Sequence, residues 1–353
     1  MHSHSKIVPV LILILLLTAC TPAAPATPAG PAVLRVMTHD SFAVSDTVIQ
    51  AFETANNARV EFIKSGDAGA MLNRAILTKS APQADVIYGL DNTFLSRALA
   101  EDLLAPYASP ELKNIPDALK LDPQNRALPV DYGDVCINYD RAWFASKGLA
   151  LPQTLADLAK PEYRGLLVTE DPSTSSTGLA FLLATIAEYG PTGYIDYWKS
   201  LKANGLVVVN GWEAAYYTNF SGSTGKGAQP MVVSYGSSPA SEVVNADTKP
   251  EDAPTASLVG KNMCFRQVEF VGLLKNGQNS DLAKKFIDFM LSDPFQADMP
   301  LQMYVYPANS KSALPESFSK YNQVPEQPAS LSPDDISANR DAWLQAWSDA
   351  ILK

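Results

Sequence analysis

The sequence predicts an α/β protein of two lobes with a ligand cleft between them, and three observations carry that expectation. Short apolar runs rich in β-branched residues alternate with amphipathic stretches along the chain, as in a mostly parallel sheet with helices on its faces. About 320 residues follow position 32, more than the ~250–300 residues at which a single core stops growing. Polar and small residues trail the apolar runs in both halves, where open α/β sheets hold their ligands.

VLRVMT at 33–38 opens the series as a strand, and HDSF follows it at 39–42. Ser45-Asp46 then caps a helical pattern carrying Val48, Ile49, Phe52 and Ala55. ARVEFI at 58–63 alternates like a half-buried strand, 71–77 reads as a helix, and ADVIY at 84–88 reads as a strand ending in Gly-Leu-Asp-Asn. A helix is expected over 94–104 and a strand over 135–139. The second series has a strand from 166 to 169, a helix over 178–189, and strands at 205–209 and 231–235. FRQVEFVGLL at 265–274 is β-like, 281–291 is an amphipathic helix, and 340–352 is a terminal helix with Trp343 and Trp347. No internal repeat is visible. No Pro/Gly-rich linker marks a boundary, so the chain is expected to cross between lobes within strands. Lobe 1 is then 33–131 plus 268–353, and lobe 2 is 132–267.

Residues 1–19 read as a secretory signal. Lys6 precedes an apolar run at 7–17, broken only by Pro9 and too short to span a bilayer. The run ends in Leu-Thr-Ala-Cys, which resembles the lipobox of bacterial lipoproteins. That likeness makes Cys20 the lipidated first residue and 20–32 a solvated Pro/Ala/Thr tether. The expected location is extracytoplasmic and lipid-anchored to a bacterial membrane, in the periplasm or on the outer face of the cell membrane.

Charge and residue counts exclude several function classes. The chain carries 37 acidic and 27 basic residues, a net charge of −10, which repels nucleic-acid phosphate and suits a cationic ligand. With Cys20 spent on lipid, Cys136 and Cys264 remain. A disulfide is the simplest reading in that compartment, and a reduced buried pair is the alternative. His39 is the single histidine past the signal, so no zinc site, and no metal or cofactor, is expected. Neither a Gly-x-Ser-x-Gly nor a P-loop signature occurs, so neither serine hydrolysis nor ATP hydrolysis is expected.

Four strand-end loops are candidates for one cleft: His39-Asp40-Ser41, residues 89–92, residues 171–178 and residues 234–239. DPSTSSTG at 171–178 leads into a helix, whose free N–H groups and hydroxyls suit a phosphate or other polar group. Simple capping needs only one of those hydroxyls. Trp212, after Asn-Gly, is either a surface lid or a wall for a flat ring or cation, with Tyr235, Tyr304 and Tyr306 able to complete a cage. Asp40, Asp91, Asp131, Asp134 and Glu269 are acids next to strand ends. Any of them held in an aromatic cleft favours a cation.

These segments together carry a resemblance. HDSF at 39–42, MLNR at 71–74, ADVIYGLDN at 84–92, VDYG at 130–133, DPSTSSTG at 171–178 and NGWEAAY at 210–216 continue with VVSYGSSPA at 232–240, QVE at 267–269, YVYP at 304–307 and RDAWLQAW at 340–347. In that order they resemble the bacterial thiamine-binding proteins of ABC transporters, extracellular solute-binding proteins of the type II periplasmic binding fold. The resemblance implies ligand contacts at Asp67, Ala68, Ser175, Ser176, Trp212, Tyr235, Gly236, Ser237 and Ser238, to which the strand-end reading adds His39, Asp40 and Asp91 and the aromatic cage adds Tyr304. His39 stands where the family has a tyrosine, Ser241 where it has an aromatic, and Tyr304 where it has a tryptophan. It further implies a monomer, not an enzyme, that carries thiamine, its phosphates or a pyrimidine precursor to permease subunits. The alternatives are a thiaminase I-like enzyme using Cys136 and a binding protein for another small cation or for ferric ion, the last suggested by Tyr216-Tyr217.

Overall fold

In the computed structural model, the described residues are 2, 30–224, 226–247 and 250–353. The expected signal peptide, Cys20 and most of the tether lie outside them. Among the described residues, strands are β1 (Ala32–Thr38), β2 (Ala58–Lys64), β3 (Val86–Asp91), β4 (Leu104–Ala105), β5 (Leu128–Asp140), β6 (Leu167–Glu170), β7 (Val207–Val209), β8 (Met231–Tyr235), β9 (Thr255–Leu258), β10 (Phe265–Leu274) and β11 (Tyr306–Pro307). They form one sheet ordered β2-β1-β3-β10-β5-β8-β6-β7, with β4 on β10 and with β9 and β11 on β5. Each flank is parallel: β2-β1-β3 on one side, and β8-β6-β7 on the other. The central strands β10 and β5 are antiparallel to each other and to the flank strands they meet. The sheet is therefore mixed, because two long strands carry the chain between the flanks.

β5 is 13 residues long, far beyond the expected 135–139. Asp131, Gly133 and Asp134 interrupt its apolar pattern and hide the strand in sequence. β3 begins later than expected because the Asp85 side chain caps its entry, accepting from Arg35 N (3.0 Å) and Asn279 N (2.8 Å). It then runs on through Gly-Leu-Asp, so Asp91 belongs to the strand and not to a loop. The helix expected over 94–104 is only Leu95–Ala100, since Asp102 takes a left-handed φ of 56° and β4 begins two residues later.

Helices cover both faces of the sheet. Helices Asp46–Asn56 and Ser280–Leu291 meet through Phe52 and Phe286, edge to face at 5.0 Å. In the other flank helix Ser176–Ala203 is far longer than the expected 178–189. Gly190 (φ 77°) and Pro191 do stop the first segment, but proline also suits the first turn of a helix, so the chain kinks and resumes. Trp198 of this helix is fully buried, edge-on to Phe181 and Trp347, with its indole N–H donated to Thr185 Oγ1 at 2.8 Å. Burying such a ring contributes about 2–3 kcal/mol. Helix Pro333–Ile351 packs on this helix through Trp347 and reaches the first flank through Arg340, 4.6 Å above the Phe94 ring. No helix among the described residues is long and apolar enough to cross a membrane. The Cys136 and Cys264 sulfurs, on β5 and beside β10, lie within disulfide distance.

Candidate functional site: a cavity between the two flanks

Segments from both flanks converge on a cavity of about 190 Å³. The loop after β1 brings His39, Ser41 and Ala43, and the turn before helix Ala68–Leu77 brings Asp67. The start of helix Ser176–Ala203 contributes Ser176 and Thr177, and the segment after β7 contributes Trp212 and Tyr217. Tyr235 ends β8 and Ser238 and Ser241 follow it, Glu269 rises from β10, and residues 302–305 close the rim.

Trp212 is fixed on three sides. Its ring stacks on Tyr216 with centroids 4.9 Å apart and planes 18° apart. Its indole N–H donates to Ser234 Oγ (2.9 Å) and its backbone N–H to Asp67 Oδ2 (3.0 Å). Tyr216 and Tyr217 sit on the π-helical turn Ala214–Asn219, an irregularity frequent at functional sites. Beneath them Val168, Ala215, Phe220 and Val232 form a small apolar cluster of their own. Tyr235 donates its hydroxyl to Gln267 Oε1 (2.9 Å), and Gln267 in turn donates to the Ser176 carbonyl (2.8 Å). Tyr304 holds a left-handed φ of 54°, which costs a non-glycine residue about 1–2 kcal/mol. Ser237 Oγ, donating to its carbonyl at 2.5 Å, and Asn245, donating to its hydroxyl at 2.8 Å, hold it there.

Asp67 connects the flanks. Its carboxylate caps its own helix through Ala68 N (2.7 Å) while accepting from Trp212 N across the cavity, with Ser176 N at 3.4 Å. Gly69 N and Ala70 N donate to the Thr174 carbonyl beside it. The described state is thus one in which the flanks touch.

The cavity is electrostatically one-sided. Asp67 and Glu269 line it, and among the described residues no lysine or arginine does. Burial, followed by the charge of Asp131, raises Glu269 well above the usual carboxylate range. Burial likewise lifts Asp131 to about 7 and Asp91 to about 6, and desolvation is the largest of the three ways to shift a buried acid here. The Tyr235 hydroxyl is raised by burial and then by Glu269.

Of the residues named in sequence as ligand contacts, Asp67, Ser176, Trp212, Tyr235, Ser238, His39 and Tyr304 line the cavity together, and so does the strand-end acid Glu269. The others do not. Ala68 is buried in its helix start, and Ser175 is buried with its hydroxyl on Thr177 Oγ1 at 3.0 Å. Gly236 N is bonded to the Asp134 carbonyl, and Ser237 acts behind Tyr304. Asp40 Oδ1 accepts from Gly66 N at 2.8 Å. Asp91 is fully buried below the cavity with Thr93 N on its Oδ1, and Asp134 is engaged by both Nε and Nη2 of Arg266. Tyr306 stacks on Tyr132 instead of on a ligand face. Ser41, Thr177, Tyr217 and Ser241 line the cavity without having been named as contacts. Glu269 was legible from the alternation of β10, which puts it on the face of Gln267. Gln302 and Met303 carry no sequence signal, and Val305 lies within YVYP without being named as a contact.

Comparison with known proteins fits this architecture. Residues 81–327 match the family described as bacterial extracellular solute-binding protein. The chain belongs to that family. This solute-binding protein is 30% identical over 326 residues to the "Thiamine-binding periplasmic protein" of Salmonella typhimurium, covering 91% of this chain and 94% of that one. A solved structure, "Periplasmic thiamin binding protein", superposes with a TM-score of 0.79 at 28% identity, covering 94% of this chain and 99% of its own. The "Ferric binding protein from Campylobacter jejuni" gives 0.72 at 18% identity, over 90% and 99%, and shows a shared fold. These proteins place the solute-binding protein in the two-lobed type II periplasmic class and outside the cytoplasm, among transport proteins.

Proposed function

We propose that this chain captures thiamine, one of its phosphates or a pyrimidine precursor, and delivers it to the permease of an ABC importer. One observation carries the reading: a cavity walled by Trp212, Tyr217, Tyr235 and Tyr304 that holds two carboxylates and, among the described residues, no lysine or arginine. Such a lining suits a flat ring bearing positive charge, and the similar proteins named above support thiamine itself. Calorimetry with thiamine, its mono- and diphosphate and an aminopyrimidine tests this, and binding of none of them rejects it. Replacing Trp212 with alanine removes the stacking wall while its Tyr216 support remains. The expected result is about tenfold weaker binding, the midpoint of the ~0.5–2 kcal/mol such contacts contribute, read by the same calorimetry.

The proposed movement is closure of 33–131 plus 268–353 onto 132–267 about β5 and β10, with contacts from both sides favouring the closed form. The proposed monomer is anchored through Cys20. Labelling with a palmitate analogue that persists in Cys20→Ser rejects the anchor.

Cys136 and Cys264 are read here as a disulfide that ties β5 to the entry of β10. Mass spectrometry of unreduced peptides checks it, and two free thiols reject it. The bond also argues against thiaminase-like chemistry, which needs a Cys136 thiolate. Ferric ion is disfavoured because Tyr216 is buried under Trp212 and donates its hydroxyl to Glu242 Oε1 at 2.7 Å, leaving no tyrosinate pair free at this turn.

A further inference from the structure

Asp131 in β5, Glu269 in β10 and Asp91 in β3 are successive register partners across three adjacent strands. Side chains directly opposed on antiparallel strands share a face, and like charges there repel. All three residues are at most 5% exposed. The row has few partners to spread its charge. The Tyr88 hydroxyl is shared between Asp131 Oδ2 and Glu269 Oε2. His39 Nε2 lies 3.7 Å from Glu269 Oε1 and makes no hydrogen bond. Asp67 and Tyr235 line the cavity within electrostatic reach of the row, and the Arg340 charge also acts on Asp91. Asp131 Oδ1 and Asp91 Oδ2 are buried without a hydrogen-bond partner. Three ionised carboxylates cannot be sustained in one dry row, so protons remain on it near neutral pH. Of the three, only Glu269 reaches the cavity surface.

We propose that Glu269 is the specificity-determining residue for a positively charged ligand, and that the cation's arrival drives one proton from the Asp131–Glu269–Asp91 row into solvent. This deepens, and rests on, the reading of the cavity as a vitamin-binding site. The O–H bond of one carboxyl breaks, its proton passes to water or buffer, and the carboxylate left behind faces the cation. Because the empty row holds the extra proton, affinity for a cation falls as pH drops below about 7, approaching tenfold per pH unit for one proton. Above about pH 8 it is flat, and a neutral ligand shows no such slope.

The full chain is titrated calorimetrically from about pH 5.5 to about pH 8.5 in two buffers of different ionisation enthalpy, so that the proton count is read directly. The probes are thiamine, a 3-benzylthiazolium cation and a neutral aminopyrimidine. The expected result is about one proton released per thiamine near pH 6, falling toward none above about pH 8, lost in Glu269→Gln and kept in His39→Gln. The count on the unmodified chain stands even where a variant misfolds. Thiamine bound without proton release, or release lost in His39→Gln and kept in Glu269→Gln, overturns the inference and leaves the vitamin reading intact. Proton-releasing binding of the thiazolium cation alone upholds the inference and overturns the vitamin reading. Binding of neither cation overturns the inference.

Discussion

Asp67→Ala is expected to weaken ligand binding by about tenfold to a hundredfold, because it removes a charged acceptor worth ~1.5–3 kcal/mol from the closed state. The carboxylate serves two elements at once, capping helix Ala68–Leu77 and receiving Trp212 N from the opposite flank. An open form loses the cap alone, about 1 kcal/mol of stability. The closed form loses the cap and the cross-cavity bond, and leaves the Trp212 amide without its partner. The difference between those losses appears as affinity. Calorimetry beside urea unfolding separates them, and Asp67→Asn, which keeps one acceptor oxygen, falls between. Affinity unchanged in Asp67→Ala, with only the stability loss seen, would falsify the bridging role.

Gly89→Ala is expected to destabilise the chain by about 2–5 kcal/mol, combining a backbone cost of ~1–3 kcal/mol with an overpacking cost of similar size. Gly89 adopts a φ of +96°, and a Cβ there would stand 2.2 Å from His39 Cδ2. The histidine has little room to retreat, since Tyr88 lies 5.9 Å away centroid to centroid and Glu269 faces its Nε2. The urea midpoint should fall with an unchanged slope, the signature of lost native stability. Ligand affinity should fall as well, because His39 lines the cavity. His39→Gly in the same background should recover part of the stability. Its failure to do so would point to backbone strain alone.

Much of this was legible from residues, and the parts that were not share a cause. β1, β2, β8 and β10 announce themselves because their apolar pattern is unbroken or cleanly alternating. β5 does not, since its middle carries Asp131, Gly133 and Asp134 where it passes the cavity, and burial of acids is decided by tertiary partners such as Tyr88. Gly190-Pro191 reads as a stop, yet the second half of that helix is held by Trp198 against Trp347, a contact 149 residues away in sequence and therefore silent locally. In the site, stretches with unusual composition, such as the hydroxyl loop and Asn-Gly-Trp, pointed to the right segments but not to the right atoms. Ser175 faces inward while Ser176 and Thr177 face the cavity, a distinction fixed by where the helix begins. The rim at 302–305 depends on a left-handed Tyr304 that no propensity foretells.

The packing of the indoles gives the molecule a built-in optical reporter. Trp198 and Trp347 are sealed in the interior and Trp343 nearly so, and Trp143 sits on helix Arg141–Lys147 beneath Lys147. Trp212 is the one whose ring borders the cavity. Quenching of intrinsic emission on adding a solute therefore reports occupancy of that single position, against a background from the other four that stays constant.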